Sequence, residues 1–329
     1  MSQIPNLVPD AAVSLAPVHI PKPWGQEIWY TGMEARGESQ VVIDEVSWPL
    51  SAYLAQHPDP TAGAALLLLK ILDPSPDADR GSLYFEVHEE KQEVYVVTHI
   101  DPTAWPDGCG AIRFGMSQTR RAASADDTTF RAEYRAAVGA YEQIRRAIDD
   151  RAVDAETARP EESRARQHME SFTELRPLRV GDVVSVPTWT PHALQHGVRV
   201  VEFQTQTYER YIISFNQKVL TQDHWDTAHA VERMQLEAPA DPVFEAVAPG
   251  VERIASFDDF NVWRVSFDVI QTLPMPPQIP YAVAMGISGE FACGDLTLQP
   301  GHACLIPHTA IAGQSIHGSG VLLLAAPDL

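Results

Sequence analysis

The first 110 residues alternate short apolar stretches with turns. Runs rich in Val, Leu, Ile and aromatic residues are interrupted at short intervals by Pro, Gly and Asp. This spacing predicts many short strands, as in a barrel or a sandwich. The predicted strands cover residues 27–31, 39–46, 64–72, 83–88 and 94–99.

The hydrophobic period changes between about residues 111 and 172. Phe130, Tyr134, Val138 and Tyr141 recur every three or four residues, which predicts an amphipathic helix of about five turns. Asp126 and Asp127 stand where the helix would begin, as acidic residues at a positive helix end often do. A second, more polar helix is predicted over residues 161–172.

Strand-like segments return after this helical block, so the block is predicted to be an insertion in a β-domain. A short helix is predicted over residues 224–236, followed by a connector rich in Pro and Ala. From residue 250 onward the pattern again predicts strands. The predicted strands after the insertion cover residues 182–186, 198–203, 260–270, 282–287, 289–293, 303–306 and 321–325.

The composition indicates a globular protein rather than a membrane or disulfide-rich one. The chain has 329 residues, 45% hydrophobic and 21% charged, which is enough for two domains with real cores. No apolar run approaches the ~20 residues of a membrane span. The N-terminus lacks the pattern of a signal peptide, and three cysteines without a CxxC pair argue against a disulfide framework or a structural zinc site. We therefore expect a cytoplasmic location.

A formal net charge of −20 argues against nucleic acid or anionic membranes as partners. Eleven of the 24 basic residues lie between Arg113 and Arg166, within the predicted insertion. Lysine is scarce, so each lysine outside that block is informative. The chain's lysines are Lys22, Lys70, Lys91 and Lys218.

Two distant segments carry the side chains of one predicted metal site. In the first, Glu86 and His88 share one face of a strand, and Glu93 can return to that face after a turn across residues 89–91. In the second, Gly181 precedes a strand that ends at Pro187, and His192 follows on a neighbouring strand. A lone His beside a lone Glu is usually solvated or satisfied in a core. Four such residues in register favour a divalent ion instead, and the donor set suits Zn, Mn or Fe.

Together these segments resemble the two-part cupin signature, with Glu86 where cupins commonly have His. Gly301 and Pro307 repeat the spacing of the second part, but Ala312 stands where a His would be. The resemblance implies a mainly β fold of two cupin barrels with a helical insertion in the first. The predicted parts are a metal-binding barrel (1–110 and 173–220), the insertion (111–172), a helical linker (221–249) and a degenerate, metal-free barrel (250–329).

Further motifs along most of the chain resemble the class I mannose-6-phosphate isomerases, in their small bacterial form. The resemblance implies zinc ligands at Glu86, His88, Glu93 and His192, and substrate contacts at Lys91 and Arg210. Glu86 replaces the family's Gln, and the loop between His88 and Lys91 is shorter than usual. The matching segments are Lys22-Pro23-Trp24-Gly25-Gln26-Glu27, Glu86-Val87-His88, Lys91-Gln92-Glu93-Val94-Tyr95, Pro191-His192-Ala193-Leu194 and Thr207-Tyr208-Glu209-Arg210-Tyr211.

The activity implied is the interconversion of mannose 6-phosphate and fructose 6-phosphate through an enediol(ate). A base must reach the migrating proton, and the candidates are Glu202, Glu90, His57, Lys91 and a metal-bound water. Lys91 and Arg210 have ordinary alternatives, as a solvated turn lysine and a surface ion pair with Glu209. An unphosphorylated or modified sugar, a cupin oxygenase and a non-catalytic sugar-binding cupin stay open as other functions. The expected assembly is a monomer or a homodimer.

Overall fold

A computed structural model of the chain describes residues 3–5 and 7–328. It confirms the predicted class, a mainly β fold of antiparallel sheets with a block of helices between β11 and β12. The helices are α1 (Leu50–Gln56), α2 (Gln118–Ala123), α3 (Asp127–Asp149), α4 (Ala155–Glu170), α5 (Thr227–Arg233) and α6 (His308–Ile311). The strands up to the insertion are β1 (Val13–Ala16), β2 (Val18–Lys22), β3 (Gly25–Trp29), β4 (Met33–Glu34), β5 (Gly37–Glu38), β6 (Gln40–Ile43), β7 (Val46–Pro49), β8 (Leu68–Pro74), β9 (Phe85–Val87), β10 (Glu93–Ile100) and β11 (Gly110–Met116). The later strands are β12 (Thr173–Leu178), β13 (Val183–Val186), β14 (His192–Leu194), β15 (Val198–Gln204), β16 (Tyr211–Ser214), β17 (Glu245–Ala248), β18 (Val251–Ser256), β19 (Phe260–Pro274), β20 (Ala282–Cys293), β21 (Leu296–Leu298), β22 (Ala303–Ile306) and β23 (Ser315–Pro327).

Two antiparallel sheets form the first barrel. A six-stranded sheet, which we call the central sheet, has the order β13-β10-β15-β8-β3-β2. A five-stranded sheet, the outer sheet, has the order β12-β11-β14-β9-β16. Alternation along the strands gives each sheet one face toward the barrel interior, where Leu72, Tyr95, Ile112 and Ile212 share one core cluster.

The C-terminal half contains a ten-stranded sheet, the third sheet, which also recruits N-terminal strands. Its order is β17-β18-β19-β23-β20-β22-β1-β6-β7, with β21 paired to β20. Strand β1 joins it through pairs such as Val13 with Leu305. The predicted domain boundaries remain a prediction, but this pairing places the N-terminal strands β1, β6 and β7 in the sheet of the C-terminal half.

Hydrophobic clusters pack the sheets and helices against one another as successive layers. Leu69, Val96 and Phe203 on the reverse of the central sheet pack in one cluster with Val283 and Leu323 of the third sheet. A separate cluster fills the interior of the C-terminal half. The reverse of the outer sheet packs against the insertion and α5 in a fourth cluster. The barrel interior with the candidate site is therefore covered on both sides by packed layers.

The helical insertion largely follows the predicted pattern. Helix α3 buries Phe130, Tyr134, Val138 and Tyr141, which confirms the amphipathic prediction. Helix α4 begins earlier than predicted because Asp154 caps it, accepting a hydrogen bond from the Thr157 N–H. Helix α5 is shorter than the predicted 224–236. Among the described residues, no helix is both long enough and apolar enough to cross a membrane.

Candidate metal centre

Opposing sheets bring the four predicted ligands together. Glu86 on β9 is paired directly with His192 on β14 in the outer sheet. His88 follows β9, whereas Glu93 begins β10 in the central sheet. The turn between them therefore crosses from one sheet to the other, and Glu93 approaches the cluster from the opposite wall.

The ligand atoms are close enough to share one ion. Those of Glu86, His88 and His192 all lie within 4.8 Å of one another. The Nε2 atom of His88 is 3.8 Å from Glu86 Oε1 and 3.5 Å from Glu93 Oε1. Ligand atoms about 2.1 Å from a tetrahedral ion are about 3.4 Å apart, so these separations suit such a site. His192 Nε2 is nearer still to Glu93 Oε1, at 2.7 Å.

Backbone carbonyls fix both imidazole rings. His88 Nδ1 is 2.9 Å from the Glu209 carbonyl oxygen, and His192 Nδ1 is 2.9 Å from that of Thr190. Because a carbonyl can only accept, each Nδ1 carries a proton, and each Nε2 atom faces the ligand cluster. His88 Nε2 and Glu86 Oε2 are buried without a hydrogen-bond partner among the described residues. Such orphaned polar atoms fit a metal.

Electrostatics in the cluster favour a cation. Burial opposes ionisation of Glu93, but Lys91 and His88 outweigh it and hold the pKa of Glu93 well below its usual range. Burial, together with Lys91, lowers the pKa of His88 and keeps this ring neutral. Burial also acts against protonation of His192, but the contact with Glu93 raises the pKa of His192 above its ordinary value. Metal binding would use the deprotonated Nε2 atom of His192.

Lysines converge on this interior to an unusual degree. Three of the chain's four lysines have side chains no more than 10% exposed, and each is paired with a carboxylate. Lys91 Nζ is 2.8 Å from Glu93 Oε2, so it is not the solvated turn lysine of the ordinary alternative. Sequence reasoning missed Lys22 and Lys70 as members of the site. The signal for Lys70 was a lysine within the apolar strand β8, whereas no comparable signal marks Lys22.

Glu202 is held deep in the barrel. Its side chain is 1% exposed, and Oε2 lies 3.2 Å from Lys70 Nζ. Burial raises the pKa of Glu202 well above its usual range, with Lys70 opposing and Glu93 reinforcing the shift. Tyr95, its cross-strand neighbour, donates a 2.7 Å hydrogen bond to Glu93 Oε1. Glu202 and the ligand Glu93 therefore belong to one buried polar network.

Arg210 lies at the edge of the cluster, half-buried. Its guanidinium carbon is 4.4 Å from the centroid of the Tyr84 ring, and Nη2 donates to Thr221 Oγ1 at 2.7 Å. No carboxylate of the described residues comes within 4.0 Å of it, so the ordinary alternative of a surface ion pair with Glu209 or a nearby acid is not observed. Burial lowers its pKa, but the charge of Glu86 outweighs this and raises the pKa of Arg210.

Other residues support the site or lie outside it. The Glu209 carboxylate accepts hydrogen bonds from the N–H groups of Glu89 and Glu90, which fixes the ligand turn. Glu90 itself is exposed. His57, another candidate base, uses both ring nitrogens, toward the Pro9 carbonyl and the Asp59 N–H.

Comparison with known proteins shows which solved structures share this fold. Neither a protein-family model nor a curated protein matches the sequence. Among solved structures, mannose 6-phosphate isomerase from Bacillus subtilis matches with a TM-score of 0.67 and 16% identity, over 96% of this chain and 99% of that one. The chain has the fold of mannose 6-phosphate isomerases.

Two further structures extend this likeness. A variant of phosphomannose isomerase from Salmonella typhimurium matches with a TM-score of 0.69 and 13% identity, over 97% of this chain and 100% of that one. A zinc-bound mannose 6-phosphate isomerase matches with a TM-score of 0.70 and 13% identity over the same shares. At these identities the likeness concerns the fold alone, and the roles of individual residues remain predictions.

Proposed function

We propose that the protein is a metal-dependent aldose–ketose isomerase that interconverts mannose 6-phosphate and fructose 6-phosphate. One observation carries this proposal. Two buried imidazole nitrogens and two carboxylates converge beside Lys91 and Arg210. The arrangement lies inside a barrel whose fold is that of mannose 6-phosphate isomerases.

Glu86, His88, Glu93 and His192 would hold the ion, zinc by preference, with Mn or Fe as alternatives. When bound, the ion supplies stabilisation of negative charge on the substrate oxygens. Lys91 is held by Glu93 at 2.8 Å, and it would donate a hydrogen bond to the same oxygens as the enediolate forms. The Lys91–Glu93 ion pair thus links metal binding with orientation of the donor.

The reaction moves a proton between two adjacent carbons, and Glu202 is our preferred acceptor of that proton. A carboxyl whose pKa is raised by burial is suited to take up and return a proton near neutral pH. Lys70 would fix its orientation through the 3.2 Å contact. Neighbouring Tyr95 and Glu93 connect this carboxyl to the ligand cluster.

Arg210 would bind the anionic end of the substrate. Its guanidinium has no carboxylate partner among the described residues, while the Tyr84 ring and Thr221 hold it in place. A positioned guanidinium can bind phosphate oxygens through two parallel hydrogen bonds. The proposed setting is the cytoplasm, with a small sugar phosphate as the partner and no nucleic acid.

Incubation with mannose 6-phosphate in D₂O tests the proposal. The purified protein should contain about one equivalent of a divalent metal, and NMR should show fructose 6-phosphate forming without oxygen. Deuterium should enter at the carbon beside the carbonyl, and chelation should stop it. Turnover only with O₂ would indicate a cupin oxygenase. Binding of sugar without exchange would indicate a non-catalytic cupin, and turnover of free mannose alone would exclude a phosphorylated substrate.

A further inference from the structure

A large cleft lies between the helical insertion and the first barrel, on the side of the outer sheet that faces away from the metal centre. It has a volume of about 640 Å³ and is lined by α3, α4 and two loops, at residues 79–80 and 216–218. The loops are joined by hydrogen bonds from Asn216 Nδ2 to the Asp79 carbonyl and from Gln217 Nε2 to the Arg80 carbonyl. This volume is in the range of small-molecule sites.

The charge of the lining departs from that of the whole chain. Five lining residues are Arg or Lys and four are Asp or Glu, whereas the chain has 24 basic and 44 acidic residues. Most of the lining carboxylates are already neutralised. Arg145 pairs with Asp149 at 2.8 Å and with Glu162 at 3.8 Å, and Arg166 pairs with Glu170 at 2.8 Å.

Two cations of the lining have no carboxylate partner. Arg80 and Lys218 are exposed, and neither has a carboxylate within 4.0 Å in the part of the chain that the structure describes. Lys218 is also the one lysine outside the charged interior of the first barrel. Asp79 is the lining carboxylate without an ion pair there. The lining thus has two unpaired cations and one unpaired carboxylate, an excess of positive charge on a chain of net charge −20.

Polar groups also line an inner space that adjoins the cleft. Arg166, Glu170 and Asn216 line both the cleft and a narrow inner space of about 30 Å³. Tyr134 Oη and Asn216 Oδ1, at that inner space, are buried without a hydrogen-bond partner among the described residues. Buried polar atoms require such partners, and hydroxyl groups or a water molecule can supply them.

We propose that this cleft is a second ligand site, separate from the metal centre, for a small phosphorylated polyhydroxy compound. The phosphate would lie between Arg80 and Lys218, where a multiply charged anion gains most from two unpaired cations. The hydroxyl groups would face the paired charges of Arg145, Arg166 and Glu170. The ligand would then contact the loops that lead into β9 and away from β16.

Calorimetry with sorbitol 6-phosphate tests the site, because this compound has no carbonyl and cannot be isomerised. Arg80→Gln combined with Lys218→Gln should weaken one binding event at least tenfold. Arg135→Gln, at an exposed position of α3 outside the cleft, should change it less than twofold. Arg210→Ala should leave this event intact while weakening binding at the metal centre about 10–100-fold.

The two proposals fail in different ways. If the protein is no sugar-phosphate isomerase, the event sensitive to Arg80 and Lys218 persists and the event sensitive to Arg210 is missing. Binding that is unchanged in the Arg80/Lys218 double variant overturns the second site. So does the absence of any binding to the wild-type protein at several millimolar ligand.

Discussion

Lys70 and Glu202 are direct cross-strand neighbours on β8 and β15, and their charged groups lie 3.2 Å apart inside the first barrel. The two side chains are only 10% and 1% exposed. Removing one member of a buried pair leaves the other charge uncompensated, which costs about 3–5 kcal/mol. We therefore expect Lys70→Met to lower the free energy of unfolding in urea by about that amount.

The double variant Lys70→Met/Glu202→Leu provides the control for this prediction. It removes both charges, so it should lose less stability than the sum of the two single variants. Additive losses would mean that the pair is not an energetic unit. A free energy of unfolding for Lys70→Met equal to that of the wild type would contradict the prediction.

Metal content should depend on His192 more than on the identity of the acid at position 86. His192→Ala removes an imidazole fixed by the Thr190 carbonyl, and elemental analysis should then find most of the metal lost. Glu86→Gln should retain metal, because an amide oxygen can still ligate. His99→Ala, at an exposed position of β10, is the control and should change neither metal content nor activity. Full occupancy in His192→Ala would refute the ligand set.

Lys91→Ala should lower the isomerisation rate about 10²-fold or more while metal stays bound, as loss of a positioned donor does. The reason is the 2.8 Å contact with Glu93, which places the ammonium beside the ligand cluster. Measurement of kcat together with metal content separates this role from a structural one. Wild-type kcat in the variant would remove Lys91 from the mechanism.

Arg210→Ala should raise KM for mannose 6-phosphate about 10–100-fold, which corresponds to loss of a charge-assisted hydrogen bond of about 1.5–3 kcal/mol. KM for any turnover of unphosphorylated mannose should change by less than threefold. Arg210→Lys should have a KM for mannose 6-phosphate between those of the wild type and Arg210→Ala, because lysine keeps the charge but cannot form two parallel hydrogen bonds. Equal effects on both sugars would show that Arg210 does not contact the phosphate.

Glu27 should make stability depend on acid pH. Burial raises its pKa, but Lys70 and Lys22 outweigh this and lower the pKa of Glu27 from 4.5 to about 2. A depressed pKa stabilises the folded state above the unfolded value and loses that contribution as pH falls toward the folded value. Between pH 4.5 and about 2, wild type should therefore lose about 3 kcal/mol relative to Glu27→Gln in urea titrations. Parallel pH profiles for the two proteins would contradict this.

The sequence predicted elements whose signal is local. The period of α3 and the apolar runs of β10, β13 and β15 were sufficient to place these elements. The ligand residues could be grouped because strand alternation fixes which side chains share a face. The early start of α4 was missed because Pro160 stands in its second turn, and a proline within a helical pattern usually marks a helix boundary.

Relationships between distant segments could not be predicted in this way. Pairing of β1 with β22 depends on partners such as Val13 and Leu305, and the sequence around either residue contains no signal of the other. The position of Glu93 on the sheet opposite Glu86 likewise follows from barrel closure. Lys70 could have been found, since a lysine within the run Leu66-Leu67-Leu68-Leu69-Lys70 needs a buried partner.

The insertion leaves the first barrel at β11 and returns at β12, and these two strands pair with each other, with Met116 opposite Thr173. Chain exit and re-entry thus occur at a single point, so the length of the inserted segment can vary through evolution without changing strand register. Its α3 nonetheless covers Phe85 and Ala193 on the outer sheet. A homologue with a shorter insertion would need another apolar element to cover this face of the outer sheet. The length of the insertion can therefore vary, but its packing contact cannot be lost without replacement.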